Sequence, residues 1–238
     1  LSLLVTLKAG GKMDKIVVGS VSESVSMDFH REEDYRRLQE IFQADSLQIA
    51  SLTITEKGYA LRDAAMQLLP DVAYDLENGP KDPRSYMGKV TALLYVRYLS
   101  GRKKIAVLSM DNCFHNGDKL KAAVTELAGA WTEKGLTVNG EGMDQSFADY
   151  VRDGSLVSFP SSMIDKITPR PDPQIEAMLK ADGIEDIAPV VTERKTYVAP
   201  FVNAEEPEYL VVEDDFPNGR PPLEKGGVIF TDRATVDR

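Results

Sequence analysis

The sequence predicts an α/β domain, doubly wound at its core, whose mostly parallel sheet carries an antiparallel excursion. Three observations predict it. The run Ile105-Ala106-Val107-Leu108 has the length and continuous apolarity of a strand buried on both faces. It feeds directly into a polar turn, 109–117, and then into a segment that carries Leu120, Val124, Leu127, Ala128 and Trp131 at helical spacing. The same alternation of strand and helix recurs along the chain, and strands alternating with helices of this length imply parallel pairing through right-handed crossovers.

Residues 1–7 and 15–21 are apolar and β-branched, with Gly10 and Gly11 between them as a hairpin turn requires. They form the antiparallel excursion. Residues 32–43 place Tyr35, Leu38, Ile41 and Phe42 on one helical face, and 47–55 follow as a strand. Asp82 and Pro83 offer an N-cap and a first-turn proline for a helix running through Met87, Val90, Leu93, Leu94 and Tyr98 to a stop at Gly101. The strand from Ile105 comes next, then a helix from about Gly117 to Gly135, a short helix within 143–152 and a strand at 156–159. Beyond Pro160 most of the 13 prolines crowd together, so short elements joined by rigid turns are expected. Residues 175–180 read as a helix and 196–202, 209–213 and 227–231 as strands, some of them antiparallel. No internal repeat is evident.

The chain has 238 residues, which suits one large domain with a real core. Hydrophobic residues make up 42% and charged residues 28%, an ordinary globular composition. A formal net charge of -10 disfavours nucleic-acid partners, because phosphate contacts need a basic face. No run approaches the roughly 20 apolar residues a membrane-spanning helix needs, so no membrane partner is expected. Cys113 is the single cysteine; no intramolecular disulfide can form, and a reducing cytoplasm is the expected setting. The first residues lack the basic region of a secretory leader, and the opening at Leu1 directly into a strand suggests a piece of a longer protein.

The chemistry concentrates in three segments. Asp111, Asn112, His115 and Asn116 arrive together at the carboxyl end of the buried strand, where open α/β sheets place their sites. Asp111 and Asn116 also suit a plain helix cap. Asp111, Cys113 and His115 alternate, so an extended turn could turn all three toward a metal. A zinc site needs three or four strong ligands, and no second histidine or cysteine pair is near, so no metal is expected and Cys113 reads as a small filler. The second segment, residues 53–59, ends a strand with Thr55 and Glu56, which could equally cap a turn while Gly58 relieves the backbone. The third, residues 162–172, carries Asp165, Lys166 and Arg170 among prolines; Asp165 and Lys166 could be no more than a turn ion pair. The glycine fingerprint G-x-G-x-x-G of a dinucleotide fold is absent: Gly10-Gly11 and Gly140-Glu141-Gly142 have neither its spacing nor its context.

Three runs resemble the polyol-specific long-chain dehydrogenases, the family of mannitol dehydrogenases and hexuronate reductases. TITEKGY matches a Thr-Glu-x-Gly-Tyr run, SMDNCFHNG an Asp-Asn-x-x-x-Asn-Gly pattern, and SMIDKITP the family's Met-Val-Asp-Arg-Ile-Thr-Pro, with Ile164 in place of Val and Lys166 in place of Arg. The resemblance extends through residues 199–233 and so covers nearly the entire chain. It implies a Rossmann-like sheet whose first strand-helix-strand unit precedes Leu1, and a helical domain with the lysine of the acid/base site beyond Arg238. The chain would then be part of a dinucleotide-binding domain, 1–238, and inactive alone. The implied cofactor is NAD or NADP, with Thr55, Glu56 and Asp111 lining its cleft. Asn112 would donate to the substrate oxygen and Asp165 would tune the base. Ile164 and Lys166 would line the substrate pocket, though the exchange of Arg for Lys weakens any bidentate contact there. The implied reaction is hydride transfer between the nicotinamide and a C6 polyol or keto-sugar acid, hexitol and hexuronate being equally compatible. Two other readings stand beside it: a non-catalytic binding or assembly module on the same scaffold, and a hydrolase using Asp111 and Asp165 as paired carboxylates.

Overall fold

The computed structural model describes residues 2–8, 12–138, 141–166, 168–191, 197–206 and 208–237. In chain order the elements of the first half are β1 (Ser2–Leu7), β2 (Met13–Val18), α1 (Glu32–Gln43), β3 (Ile49–Leu52), α2 (Pro70–Asn78), α3 (Tyr86–Leu99), β4 (Ile105–Ser109) and α4 (Asn116–Glu133). There follow β5 (Thr137–Val138), β6 (Glu141–Gly142), α5 (Gln145–Arg152), β7 (Val157–Ser158), β8 (Ser162–Asp165), α6 (Pro173–Ala181), β9 (Val190–Val191), β10 (Tyr197–Val198), β11 (Phe201–Glu205), β12 (Tyr209–Glu213), β13 (Ile229–Thr231) and α7 (Arg233–Val236). Two compact units share them: Leu1–Ser24 with Asp165–Tyr209, and Val25–Ile164 with Leu210–Arg238.

The larger unit is built on the parallel sheet β3-β4-β7. Every residue of β4 is buried, as the apolar run requires of a strand covered on both faces. Helices α3 and α4 present Leu94, Leu120, Val124, Leu127 and Trp131 to one core with Ile105 and Val107. Trp131 is wholly enclosed, and its indole N–H donates to Asp75 O at 2.8 Å. A second sheet, in the order β13-β12-β8, belongs to this unit apart from its terminal residues Asp165 and Tyr209.

Arg97 of α3 is also fully buried and faces backbone. Its guanidinium donates to the carbonyls of Phe42, Ala44, Leu47 and Lys104 at 2.7 to 3.2 Å, tying the end of α1 and the approaches to β3 and β4 to one side chain. A charge this deep persists because its donors find acceptors. Burial lowers its pKa from the usual guanidinium value.

Two boundaries differ from the expectation. Helix α3 is capped by Ser85, whose hydroxyl accepts from Gly88 N at 2.9 Å, not by Asp82. The reason is Asp75: its buried carboxylate accepts from Arg84 N, Ser85 N and Ser85 Oγ, holding 82–85 outside the helix. The strand expected over 47–55 is realised only as Ile49–Leu52, since Ile54 and Thr55 donate their amides to Asp111 rather than to a neighbouring strand. Helix α2, begun by Pro70, was not anticipated.

In the smaller unit β1 pairs antiparallel with β2, as expected of the excursion, and parallel with β11. Lys8 N donates to Lys12 O at 2.8 Å across the turn; Gly10 and Gly11 lie outside the described residues. Leu3, Val5 and Phe201 pack with Ile175 and Leu179 of α6. Asp172 caps α6 through Gln174 N at 2.7 Å, with Pro173 in the first turn. The strand expected over 196–202 is divided into β10 and β11, and Thr196 lies outside the described residues.

Candidate functional site

The carboxyl end of β4 opens into the turn 110–115, and α4 begins at Asn116. Asp111 is 7% exposed and fully engaged. Its Oδ2 accepts from Ile54 N at 2.9 Å and from the Tyr59 hydroxyl at 2.5 Å, while Oδ1 accepts from Thr55 N at 2.9 Å. The Tyr59 hydroxyl also meets Ser109 Oγ at 2.7 Å. Burial, and then the hydrogen bond to Asp111, push the phenol well above its ordinary pKa, so it remains a donor. The carboxylate thus holds the 53–59 segment in place. That occupancy argues against the paired-carboxylate reading and makes Asp111 a buttress of the cleft.

Thr55 bears the consequence: its backbone is at φ 63 and ψ 161, a conformation an L-residue adopts only when its surroundings impose it. Its side chain makes no cap bond to the short 3-10 helix Glu56–Tyr59, so the expected alternative of a simple turn cap does not hold for it. Gly58 serves space rather than backbone freedom, since a Cβ there would lie 2.8 Å from the Ile54 side chain. Glu56 is exposed and pairs with Lys119 of α4 at 2.5 Å. A cavity of about 380 Å³ opens beside this pair, lined in part by Tyr59, Leu61, Met66 and Ala123.

Asn116 does not cap α4, contrary to the plain expectation; His115 occupies the N-cap position, with no side-chain cap bond. The Asn116 side chain is buried and fastens two of the sequence motifs together. Its Nδ2 donates to Asp111 O at 3.0 Å and to Ser162 O at 2.9 Å, with Ser162 Oγ at 3.0 Å, and its Oδ1 accepts from Ser162 N at 3.0 Å. Gly117 permits the approach: a Cβ there would stand 2.5 Å from Phe159 O. Asn112, by contrast, is exposed, and its side chain makes no hydrogen bond among the described residues. Cys113 is free and half-buried, and burial raises its thiol pKa above the ordinary range. Among the described residues no group of three or more His, Cys, Asp or Glu is placed to hold a metal.

The remaining expected residues lie at the end of β8 and just beyond. Ile164 is half-buried, Asp165 is exposed and its side chain makes no hydrogen bond among the described residues, and Lys166 pairs with Glu208. The sequence reading gave no role to Tyr59 or Ser162. Both stand inside the quoted motifs, but which polar groups they meet follows from chain crossings that spacing does not reveal.

A parallel β3-β4-β7 sheet with helices on it, and a polar turn at the carboxyl end of its central strand, define a Rossmann-class α/β domain. Residues 4–225 match the family described as the mannitol dehydrogenase Rossmann domain, and the chain belongs to that family. It is 46% identical over 240 residues to the D-mannonate oxidoreductase of Thermotoga maritima, covering 100% of this chain and 43% of that protein. It superposes with a TM-score of 0.74 on a Pseudomonas fluorescens mannitol 2-dehydrogenase solved as a ternary complex with NAD and D-mannitol, at 29% identity over 98% of this chain and 42% of that one. A D-sorbitol dehydrogenase solved in substrate-free form gives a TM-score of 0.76, with 27% identity, 98% of this chain and 43% of the other covered. The chain therefore spans less than half the length of these relatives. No helix among the described residues is long and apolar enough to cross a membrane.

Proposed function

We propose that this chain is the nucleotide-binding part of an NAD(P)-dependent oxidoreductase that interconverts a C6 sugar acid or hexitol with its keto form. The observation that carries the reading is Asn112, a free amide on a turn whose neighbouring polar groups are all engaged, at the carboxyl end of a parallel strand. The 46% identity to a D-mannonate oxidoreductase along the whole chain favours the sugar acid.

The residues present fit a nicotinamide-type ligand on one side of the cleft: Thr55 is exposed on a backbone held by Asp111, and Glu56 stands next to it. Thr55 and Glu56 would hold that ligand, with Asp111 acting through the turn. The cofactor, when bound, supplies or accepts the hydride. Asn112 donates its amide N–H to the substrate oxygen and stabilises the negative charge that develops there. Asp165 orients and tunes the base, a lysine outside the present sequence, while Ile164 and Lys166 border the substrate. A single free thiol with no disulfide suits a reducing cytoplasm.

The test uses the protein as encoded in full, in a coupled NAD(P)H assay against fructose, fructuronate and tagaturonate. Asn112→Ala is expected to lower kcat by roughly 10²-fold or more, the usual loss for a removed oxyanion donor, while cofactor affinity holds. Absence of activity on all three substrates, or unchanged turnover in the variant, overturns the proposal.

A further inference from the structure

His115 lies three residues beyond Asn112 and is the one member of this turn whose engagement is through charge. Its backbone sits in the left-handed region at φ 52 and ψ 42, and its ring rests on Phe114 with centroids 3.8 Å apart. Nδ1 is buried and makes no hydrogen bond. What it faces is acidic: Asp237 Oδ1 at 3.5 Å and Asp118 Oδ2 at 3.7 Å. Arg233 of α7 closes the cluster, reaching Asp118 at 2.5 Å, Glu213 of β12 at 3.3 Å and Asp237 at 3.6 Å. Glu213 in turn accepts from Ser161 N at 3.0 Å, just before the β8 motif.

A neutral imidazole with its lone pair toward two carboxylates is repelled, and a neutral N–H at these distances is only a weak donor. A protonated ring is drawn to both. The charged groups facing it are Asp118 of α4, Arg233 of α7 and Asp237 just after α7, with Glu213 behind Arg233. Two neutral attachments, Asp111 O and Ser162 on Asn116, fix the end of the turn, and Cys113 N donates to Asp111 O at 2.8 Å; within 112–115 the side chain engaged through charge is that of His115.

We propose that His115 is a positioning residue whose protonated imidazole, held by Asp237 and Asp118, sets the turn that presents Asn112, so that turnover falls as His115 loses its proton. The inference rests on the reading that Asn112 faces the reacting carbon.

The experiment compares kcat and KM across pH for the full-length wild type, His115→Gln, Asp237→Asn, the double variant and Asn112→Ala. Both single variants are expected to lower kcat by roughly 10-fold to 100-fold, the scale of a small misplacement, with KM for the cofactor unchanged. Both should also lose the wild-type decline of kcat with rising pH, and the double variant should be no worse than either single one, because both substitutions remove the same contact. Asp237 is partly exposed, so Asp237→Asn reports even where His115→Gln folds poorly. A wild-type limb retained in Asp237→Asn, or losses that add in the double variant, overturn the role of His115 while a collapsed kcat in Asn112→Ala leaves the reading of the site standing. Unchanged turnover in Asn112→Ala overturns both.

Discussion

Replacing the Asn116 amide with an isosteric carboxyl, Asn116→Asp, tests how the site is held. The Nδ2 donor serves Asp111 O and Ser162 O, and an oxygen in its place takes that donor from both; Asp111 O keeps the amide of Cys113 at 2.8 Å, while Ser162 O loses its side-chain donor. At about 1–3 kcal/mol for an orphaned group, the loss in unfolding free energy is about 1–3 kcal/mol. The acceptor half survives, because Oδ1 continues to receive Ser162 N. Protonation restores one donor. The new carboxyl therefore has a folded pKa above its unfolded value of about 3.9, and the folded state binds more protons in between. Stability is then highest at low pH and declines as pH rises toward the folded pKa, by up to about 1.4 kcal/mol per unit, before levelling off. Urea denaturation at a series of pH values reads this directly, with Asn116→Ala as the control that loses the amide without gaining a titrating group. A variant as stable as the wild type, or a loss with the same pH dependence in both substitutions, would refute the argument that this side chain fastens the two motifs.

Three further outcomes follow from the packing. Gly117→Ala drives a Cβ to 2.5 Å from Phe159 O and should cost about 1–3 kcal/mol, read as a lower thermal midpoint, whereas Gly154→Ala, with nothing within 4 Å, should not carry that steric cost. Arg97→Met removes a donor from four backbone carbonyls, of which Ala44 O keeps Leu47 N and Leu47 O keeps Asn218 Nδ2, and should cost about 2–6 kcal/mol in chemical denaturation for the other two; a near-neutral result would mean that those two find water. Cys113 alkylation by iodoacetamide should be slow at neutral pH and accelerate only above the ordinary thiol range, because burial disfavours the thiolate; a rate already at its plateau near pH 8 would contradict this.

The strand-turn-helix unit was legible because its signals are local. Apolar continuity makes β4, and helical spacing brings Leu120, Val124, Leu127, Ala128 and Trp131 to one buried face. What could not be read is where polar side chains cross between segments. Asp75 pre-empts the cap that Asp82 promised, because its carboxylate, on the unexpected helix α2, collects the amides of Arg84 and Ser85. That helix, α2, carries its own signals, Pro70 at the start and a left-handed Gly79 after the end. Within it only Val72 and Asp75 are buried, too few to draw an apolar stripe. The strand over 47–55 is cut short by Asp111, more than fifty residues away, and Lys166 is turned toward Glu208 rather than left free. Each departure is a long-range polar contact overriding a local preference.

That pattern bears on what the motifs mean. Of the polar residues that the 109–117 turn brings to the end of β4, Asp111 is spent on Ile54, Thr55 and Tyr59, Asn116 on Ser162, and His115 on two carboxylates. Read as a list they suggest a crowded catalytic cluster; in place they form a frame whose members satisfy one another. A hydrogen-bond donor is useful to a developing oxyanion only if it is unspent and does not have to reorganise when charge appears. Asn112 meets the first condition because it is exposed and without a hydrogen bond among the described residues, and the second because the neighbours on both sides are pinned. The acidic surroundings of His115 bear on the same requirement: the turn is anchored at Asp111, through Cys113 N, and at Asn116, and the proposed ion pair of His115 with Asp237 and Asp118 would add a further hold beside Asn112.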